Sequence, residues 1–185
     1  MATTEIKIGG LGGQGVILAG MILGRAAALH DNKHATMTQA FGPEARGSAC
    51  SAQLIVADEP VLYPYVARPS VLVAMSQDAY AKFGPELSEG GLLLIEEELV
   101  KIGTPPNKAR VYGIPATRLA EELGRKLVLN IVMVGFFTSV AKAIGADAVR
   151  QAVRESVPPG TEKLNLAAFD KGFEHGLKAL AAQAS

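Results

Sequence analysis

Three glycines near the start of the chain have the spacing of a turn that can approach phosphate groups. Gly10, Gly12 and Gly15 fit the pattern Gly-x-Gly-x-x-Gly, between an apolar segment at 6–8 and a helix-like segment at 16–29. Glycine allows a sharp turn and close backbone approach, and the first N–H groups of the following helix attract an anion. The spacing therefore predicts contact with a phosphate-bearing ligand or a partner chain, or a tight turn that only seats the helix.

A dinucleotide site would need an acidic residue at the end of the second strand, where it can hold a ribose. Asp31 lies 21 positions after Gly10, which suits that role, but it precedes the predicted second strand at 34–41. The end of this strand carries Gln39 and Phe41 instead. The count fits and the order does not, so the sequence argues against NAD.

Two polar side chains accompany the glycines. Gln14, between Gly13 and Gly15, can cap the helix or reach a ligand, and the sequence leaves both open. Arg46 lies in a second loop at 41–48, Phe-Gly-Pro-Glu-Ala-Arg-Gly-Ser. Loops at the carboxyl ends of parallel strands line one crevice, so we expect the two loops side by side. The Arg46 guanidinium could bind a phosphate or carboxylate through two parallel hydrogen bonds, or pair with a local acid.

The sequence offers no redox or metal centre. Its one cysteine, Cys50, cannot form an internal disulfide or hold an iron–sulfur cluster, which normally takes four ligands. The three histidines lack the spacing of a zinc site. A nucleophilic Cys50 would need a neighbouring base that no spacing marks, so we expect it to pack and expect no catalytic residue.

These residues must be positioned by alternating strands and helices. The pattern predicts an α/β class, with a single Rossmann-like domain over residues 1–185, a mostly parallel sheet flanked by helices, and a helical C-terminal part. The predicted strands are 6–8, 34–41, 51–57, 71–75, 92–95 and 110–114. The predicted helices are 16–29, 78–83, 116–123, 129–144, 146–156 and 166–182.

Two features suggest contact surfaces. The run at 127–137 is apolar except for Asn130, is too short to span a bilayer, and would form a helix that is apolar on every side. Such a helix is either central in the domain or packed partly on another subunit, and we favour partial subunit burial. Tyr63 and Tyr65 flank Pro64 and form a second candidate contact, or an ordinary surface turn.

Composition excludes some classes of function. Lys and Arg number 18, as do Asp and Glu, so the basic excess of a nucleic-acid-binding protein is absent. The first residues lack the basic-then-apolar layout of a secretory signal. We therefore expect a cytoplasmic protein that binds no nucleic acid and has no membrane span.

Taken together, the two loops resemble one family. Residues 10–16, Gly-Leu-Gly-Gly-Gln-Gly-Val, and 38–47, Thr-Gln-Ala-Phe-Gly-Pro-Glu-Ala-Arg-Gly, resemble the gamma subunit of CoA-acylating 2-oxoacid:ferredoxin oxidoreductases of the 2-oxoglutarate and pyruvate type. Ser48 stands where that family commonly has a second glycine. The resemblance covers about residues 4–140, and the second loop looks more like the 2-oxoglutarate branch.

This resemblance implies a division of labour within a hetero-oligomer. Alpha and beta subunits would hold thiamine diphosphate and Mg²⁺, and partner chains, including a ferredoxin-like delta subunit, would hold [4Fe–4S] clusters. The complex would convert a 2-oxoacid and CoA to acyl-CoA and CO₂, with electrons passing to ferredoxin or a similar acceptor.

The gamma-type chain itself would be non-catalytic and would help assemble the complex and cover CoA. Its contact residues, with either CoA or a subunit, would be Gly12, Gly13, Gln14, Gly15 and Arg46. The alternative is a stand-alone nucleotide-binding reductase of the Rossmann type.

Overall fold

A six-stranded sheet forms the centre of the computed structural model, which describes residues 3–42 and 47–183. The strand order is β2-β3-β1-β4-β5-β6. Strands β1, β4, β5 and β6 pair in parallel, whereas β3 pairs antiparallel with both β1 and β2. The predicted α/β class and mostly parallel sheet are confirmed. The strands are β1 (Thr3–Leu11), β2 (His34–Phe41), β3 (Ala49–Ala57), β4 (Val71–Ala74), β5 (Leu92–Glu96) and β6 (Arg110–Ile114).

Helices cover both faces of the sheet. Ile6 and Ile8 of β1 point into the larger core, which α1, α3, α4, α5 and α6 complete. The opposite face carries Gly9, which lies against Phe83 of α2, and the buried Lys7. The helices are α1 (Val16–Arg25), α2 (Gln77–Phe83), α3 (Ala116–Glu122), α4 (Leu129–Ala141), α5 (Ala146–Ser156) and α6 (Glu162–Gln183). A π-helical turn, Ala26–His30, extends α1.

The antiparallel β3 changes the simple strand–helix–strand unit that the sequence suggests. Strands β1 and β2 run in the same direction but are not neighbours, because β3 lies between them. Leu11 pairs with Ala49 and Phe41 pairs with Cys50, so the last residues of β1 and β2 meet the first residues of β3. The glycine turn after β1 and the hairpin loop after β2 therefore lie at one edge of the sheet.

Helix α4 is buried by its own chain. Every residue of α4 from Leu129 to Val140 is buried, and the large core surrounds it. Leu127 is the exception in the apolar run, since 76 % of its surface is exposed. The expectation that the 127–137 run packs partly on another subunit is wrong, and the helix is central in the domain.

Glycines let α4 and α6 approach each other closely. A Cβ atom on Gly135 of α4 would overlap the carbonyl of Phe169, and a Cβ on Gly172 of α6 would overlap the carbonyl of Val132. The two backbones therefore touch along this crossing. Because α6 covers α4 in this way, an apolar helix with no polar face can be enclosed within one chain.

Candidate functional site

The glycine turn joins β1 to α1 through two left-handed residues. Gly13 has a φ of 96° and Gly15 a φ of 73°, a region that glycine adopts without steric cost. The N–H of Gln14 donates to the carbonyl of Leu11 at 3.0 Å, which closes the turn. Gly15 is the residue that caps the start of α1, and no side chain caps it. The turn therefore presents the first N–H groups of α1 at the edge of the sheet.

Gln14 fastens the turn to the sheet. The N–H of Leu11 donates to Gln14 Oε1 at 2.7 Å, and Gln14 Nε2 donates to the carbonyl of Met75 at 2.8 Å. The side chain thereby ties the end of β1 to the residue that follows β4. Of the two uses that the sequence leaves open, capping of the helix is not what Gln14 does, since no side chain caps α1. Contact of Gln14 with a ligand or partner stays a prediction.

Asn130 of α4 contacts the glycine turn from the core side. It is buried on α4, and its Nδ2 donates to the carbonyl of Gly15 at 3.3 Å. A Cβ atom on Gly15 would overlap the Asn130 amide. Sequence reasoning noted Asn130 only as an interruption of an apolar run. A lone amide in such a run is a signal for a buried polar partner, because a buried amide needs hydrogen bonds.

The hairpin loop lies directly beside the glycine turn. The N–H of Gly12 donates to the carbonyl of Ser48 at 2.8 Å, and the N–H of Gly47 donates to the carbonyl of Gly12 at 3.3 Å. The predicted juxtaposition of the two loops is thus present at the backbone level. Arg46 lies outside the described residues, so its contact with a ligand or partner stays a prediction.

A cavity of about 580 Å³ opens between the two loops and the start of α1. Phe41, of which 64 % is exposed, stands at its rim. The helix start supplies unpaired N–H groups, and the small residues leave them accessible to an anionic group. The cavity is lined by Gly12, Gly13, Gly15, Val16, Ile17, Leu18, Phe41, Gly42, Ser48 and Cys50.

A second cavity, of about 510 Å³, lies on the other side of the glycine turn. The chain leaves β1 toward the larger core and leaves β4 toward α2 on the opposite face, which opens a crevice between the two strand ends. Its lining includes Met75, Ser76 and Lys126, together with the exposed Leu99 and Leu127. Sequence reasoning assigned no function to Met75 and Ser76, although a buried strand ending at 75 places them at this edge. Leu127 begins the apolar run that the sequence indicates as a contact surface.

Three groups that could carry chemistry have structural roles instead. Cys50 lies at the floor of the first cavity, and burial raises the pKa of its thiol, which disfavours the nucleophilic thiolate. Asp31 follows the π-helical turn, at the far end of α1 from the glycines, and Oδ2 accepts from the N–H of Gly145 at 3.1 Å. The fully buried Glu96 accepts backbone N–H groups of Glu98, Leu99 and Thr117 at 3.0, 2.7 and 3.0 Å.

Within residues 3–42 and 47–183 the structure contains neither a group of potential metal ligands nor a membrane-spanning helix. In these ranges no three His, Cys, Asp or Glu side chains come together as potential metal ligands. Nor does any helix there combine the length and the apolar character needed to cross a bilayer.

A family profile and individual relatives both link the chain to oxidoreductases that act on 2-oxoacids. The profile of the family described as pyruvate ferredoxin/flavodoxin oxidoreductase matches residues 5–175. The 2-oxoglutarate synthase subunit KorC of Methanocaldococcus jannaschii is 48 % identical over 172 residues, which cover 92 % of each chain.

Solved structures share the fold. The gamma subunit of a keto/oxoacid ferredoxin oxidoreductase from Geobacter sulfurreducens superposes with a TM-score of 0.84 at 36 % identity, over 95 % of this chain and 99 % of that one. A 2-oxoglutarate:ferredoxin oxidoreductase from Magnetococcus marinus, with 2-oxoglutarate, coenzyme A and succinyl-CoA bound, gives 0.85 at 20 % identity. The match covers 96 % of this chain and 32 % of that one, and the likeness concerns the fold alone.

Proposed function

Because the chain belongs to the pyruvate ferredoxin/flavodoxin oxidoreductase family, we propose that it is the gamma-type subunit of a cytoplasmic 2-oxoacid:acceptor oxidoreductase. The whole chain forms one gamma-type unit that helps assemble the complex and covers part of the CoA site. The 48 % identity to a 2-oxoglutarate synthase subunit supports 2-oxoglutarate as the 2-oxoacid. The stand-alone nucleotide-binding reductase is the weaker alternative, since Asp31 is remote from the glycine turn and bonded to Gly145.

One observation carries the proposed role of the two loops. Gly12 accepts from Gly47 and donates to Ser48, so the backbone joins the two family-like loops around the cavity at the start of α1. A phosphate of CoA placed there would meet the N–H groups of the helix start, and we assign the Arg46 guanidinium to the same phosphate from the sequence alone. A carboxylate of a partner subunit would use the same groups. Titration of the intact complex with CoA distinguishes the two occupants.

The redox chemistry belongs to other chains in this proposal. A [4Fe–4S] cluster is normally held by four cysteine thiolates, and the sequence has one cysteine. Thiamine diphosphate with Mg²⁺ and the clusters are therefore assigned to alpha, beta and ferredoxin-like delta subunits. Ferredoxin or a similar acceptor takes the electrons. This chain contributes backbone donors, shape and subunit contacts.

Co-purification tests the assignment to a complex. A tagged form of the chain, isolated from its own cells, is expected to bring thiamine- and cluster-binding partners and to reduce an acceptor with 2-oxoglutarate and CoA. Pyruvate and branched or aromatic 2-oxoacids serve as the comparison panel. The separate chain is expected to be inactive with all of them. Turnover by the separate chain, or its purification without partners, would contradict the proposal.

The CoA contact is tested on the intact complex by titration calorimetry. Arg46→Ala is expected to weaken CoA binding about tenfold or more, since a charge-assisted hydrogen bond contributes about 1.5–3 kcal/mol. Arg154→Ala, which removes an exposed arginine on α5, is the matched control and should leave the affinity unchanged. If Arg46→Ala binds CoA as well as the control does, Arg46 is not part of the CoA site, and a subunit contact is left for this loop.

A further inference from the structure

A cleft with acidic and aromatic walls lies at the end of the sheet opposite the glycine turn. The chain leaves β3 at Ala57 and crosses the start of β1, enclosing a cavity of about 390 Å³. We call it the acidic–aromatic cleft, and its chemistry comes from six of its lining residues. These are Glu5, Asp58, Glu59, Leu62, Tyr63 and Tyr65.

Apolar side chains at the mouth of the cleft face solvent. Leu62 is 95 % exposed, Tyr63 66 % and Tyr65 57 %. The two tyrosine rings contact each other edge to face, with centroids 5.5 Å apart. Single exposed apolar residues are ordinary, but a contiguous group of this kind marks an interaction surface. Tyrosine is also enriched among the residues that dominate binding energy at interfaces.

The segment that carries these side chains is anchored at its end. Val66 is buried, and its N–H donates to Gln53 Oε1 at 3.3 Å. The N–H of Arg68 donates to Glu5 Oε2 at 3.4 Å, and the N–H of Ser70 donates to the carbonyl of Glu5 at 2.8 Å. The segment is therefore fixed at its C-terminal end before any partner arrives, which lowers the entropy lost on binding.

The charge of the cleft selects the kind of partner. Glu5, Asp58 and Glu59 all line it, and the described residues of its lining include no lysine or arginine. An arginine side chain matches both walls, because its planar guanidinium stacks on tyrosine rings and binds carboxylates through two parallel hydrogen bonds. Lysine lacks the planar fork, and an apolar side chain would gain nothing from the negative charge of the cleft.

We propose that the acidic–aromatic cleft docks a partner polypeptide that inserts an arginine between the carboxylates and the tyrosine pair. The inference rests on the proposed function in one respect, namely that the chain works within a hetero-oligomer. The docking surface is separate from the glycine turn. The cleft is lined by Thr3 and the turn follows Leu11, at opposite ends of the nine-residue β1, a span of about 26 Å.

Paired variants in the assembled complex test the surface. Tyr63→Ala and Leu62→Ser are expected to raise the concentration at which the complex dissociates about tenfold or more, as truncation of a central interface residue does. Leu177→Ser, on α6 and 47 % exposed, is the apolar control and should have no effect. Mass photometry over a dilution series measures the dissociation, and CoA affinity of the undissociated complex should stay unchanged. Equal behaviour of Tyr63→Ala and the control would overturn the proposal.

The charge requirement is tested in the same way. Glu59→Gln is expected to weaken assembly severalfold at low salt and to lose most of that effect at high salt, since the pairing is electrostatic. Glu174→Gln, an exposed carboxylate on α6, is the control. An effect of Glu59→Gln that is absent, or that is matched by Glu174→Gln, contradicts the role of the carboxylates.

The identity of the occupant is tested by crosslinking. With benzoylphenylalanine in place of Tyr63, irradiation of the complex is expected to join this chain to a different subunit, at a peptide that contains arginine. A crosslink to a second copy of this chain, or none in a complex that still forms, would overturn the docking proposal and leave the proposed function intact. If the wild-type chain forms no complex at all, the proposed function fails and the docking proposal with it.

Discussion

At Gly15, backbone conformation and a neighbouring side chain both require glycine. Its φ of 73° is left-handed, and a Cβ atom would overlap the buried amide of Asn130. Gly13, two residues earlier, has a φ of 96° but open space around the position of a Cβ atom. The two glycines thus separate the cost of backbone strain from the cost of a clash.

Gly15→Ala is expected to lower the free energy of unfolding by about 2–5 kcal/mol, from backbone strain and overpacking together. Gly13→Ala, with strain alone, is expected to cost about 1–2 kcal/mol. Urea unfolding of both variants measures the difference. Equal losses would show that contact with Asn130 does not restrict position 15.

Cys50 allows a test of burial through pH. Desolvation raises the pKa of its thiol in the folded chain above that of an unfolded cysteine, about 8.5. The stability that comes from a neutral buried thiol is present below the unfolded pKa and is lost as pH rises toward and through the folded pKa.

Alkylation of Cys50 by iodoacetamide is therefore expected to be slower in the native chain than in urea at pH 8. The native rate should increase at higher pH than the rate in urea. Mass spectrometry of timed samples measures both rates. Equal rates in the two states would show that Cys50 is not shielded from the reagent and that the pKa of its thiol is not raised by folding.

At this scale the sequence identifies residues better than it identifies their partners. The glycine turn and the adjoining hairpin loop follow from local spacing and from the rule for strand ends. The bond from Asn130 to Gly15 joins residues 115 positions apart, which no local pattern specifies. Gln14 likewise bonds the carbonyl of Met75, 61 positions away, which its place in the glycine turn does not indicate.

Among the secondary-structure elements, the crossing of α4 and α6 is the most constrained contact. Gly135 and Gly172 bring each helix onto carbonyl groups of the other, without space for a methyl group. Small residues on both helices are what permits backbones to approach to this degree. The crossing therefore depends on single glycines rather than on the total apolar content of either helix.

Gly172→Ala is expected to cost about 3 kcal/mol, the upper part of the range for overpacking, because the obstacle is backbone and cannot change rotamer. Gly103→Ala adds the same methyl group where nothing lies within 4 Å and is the control. Thermal and urea unfolding compare the two. A stable Gly172→Ala variant would mean that α6 can shift along α4 at little cost.

The bounds of the helices and strands were largely predictable from the sequence, but which strands and helices pack against each other was not. The strand at Arg110–Ile114 and the helix at Ala146–Ser156 match the sequence prediction, because apolar periodicity and Pro or Gly breaks are local signals. The insertion of β3 between β1 and β2 depends on pairing between distant segments. The burial of α4 was predicted wrongly in part, since an apolar helix looks the same against its own chain or another.

Considered as a whole molecule, the chain encloses its own core. Both faces of the sheet carry helices from the same chain, and α4 is buried without a second subunit. Exposed apolar residues lie on the surface of this domain, among them Leu127 at the second cavity and Leu62 at the acidic–aromatic cleft. We therefore expect partners to attach to a domain whose core is already complete.

The separate chain is accordingly expected to fold without its partners. It should unfold cooperatively in urea, with a free energy of unfolding of about 5–15 kcal/mol, as is usual for one domain. Circular dichroism and sedimentation velocity at several concentrations measure folding and mass. A non-cooperative transition, or strong binding of a dye specific for exposed apolar surface, would contradict an autonomous core.

The late position of α6 along the chain has a consequence for biosynthesis. Until residues Glu162–Gln183 have been made, α4 lacks the helix that touches it at Gly135 and Gly172. A ribosome that stalls between α5 and α6 therefore releases a product whose most apolar helix is open on one side. Such a fragment is a substrate for chaperones and proteases, rather than a slightly weaker form of the finished protein.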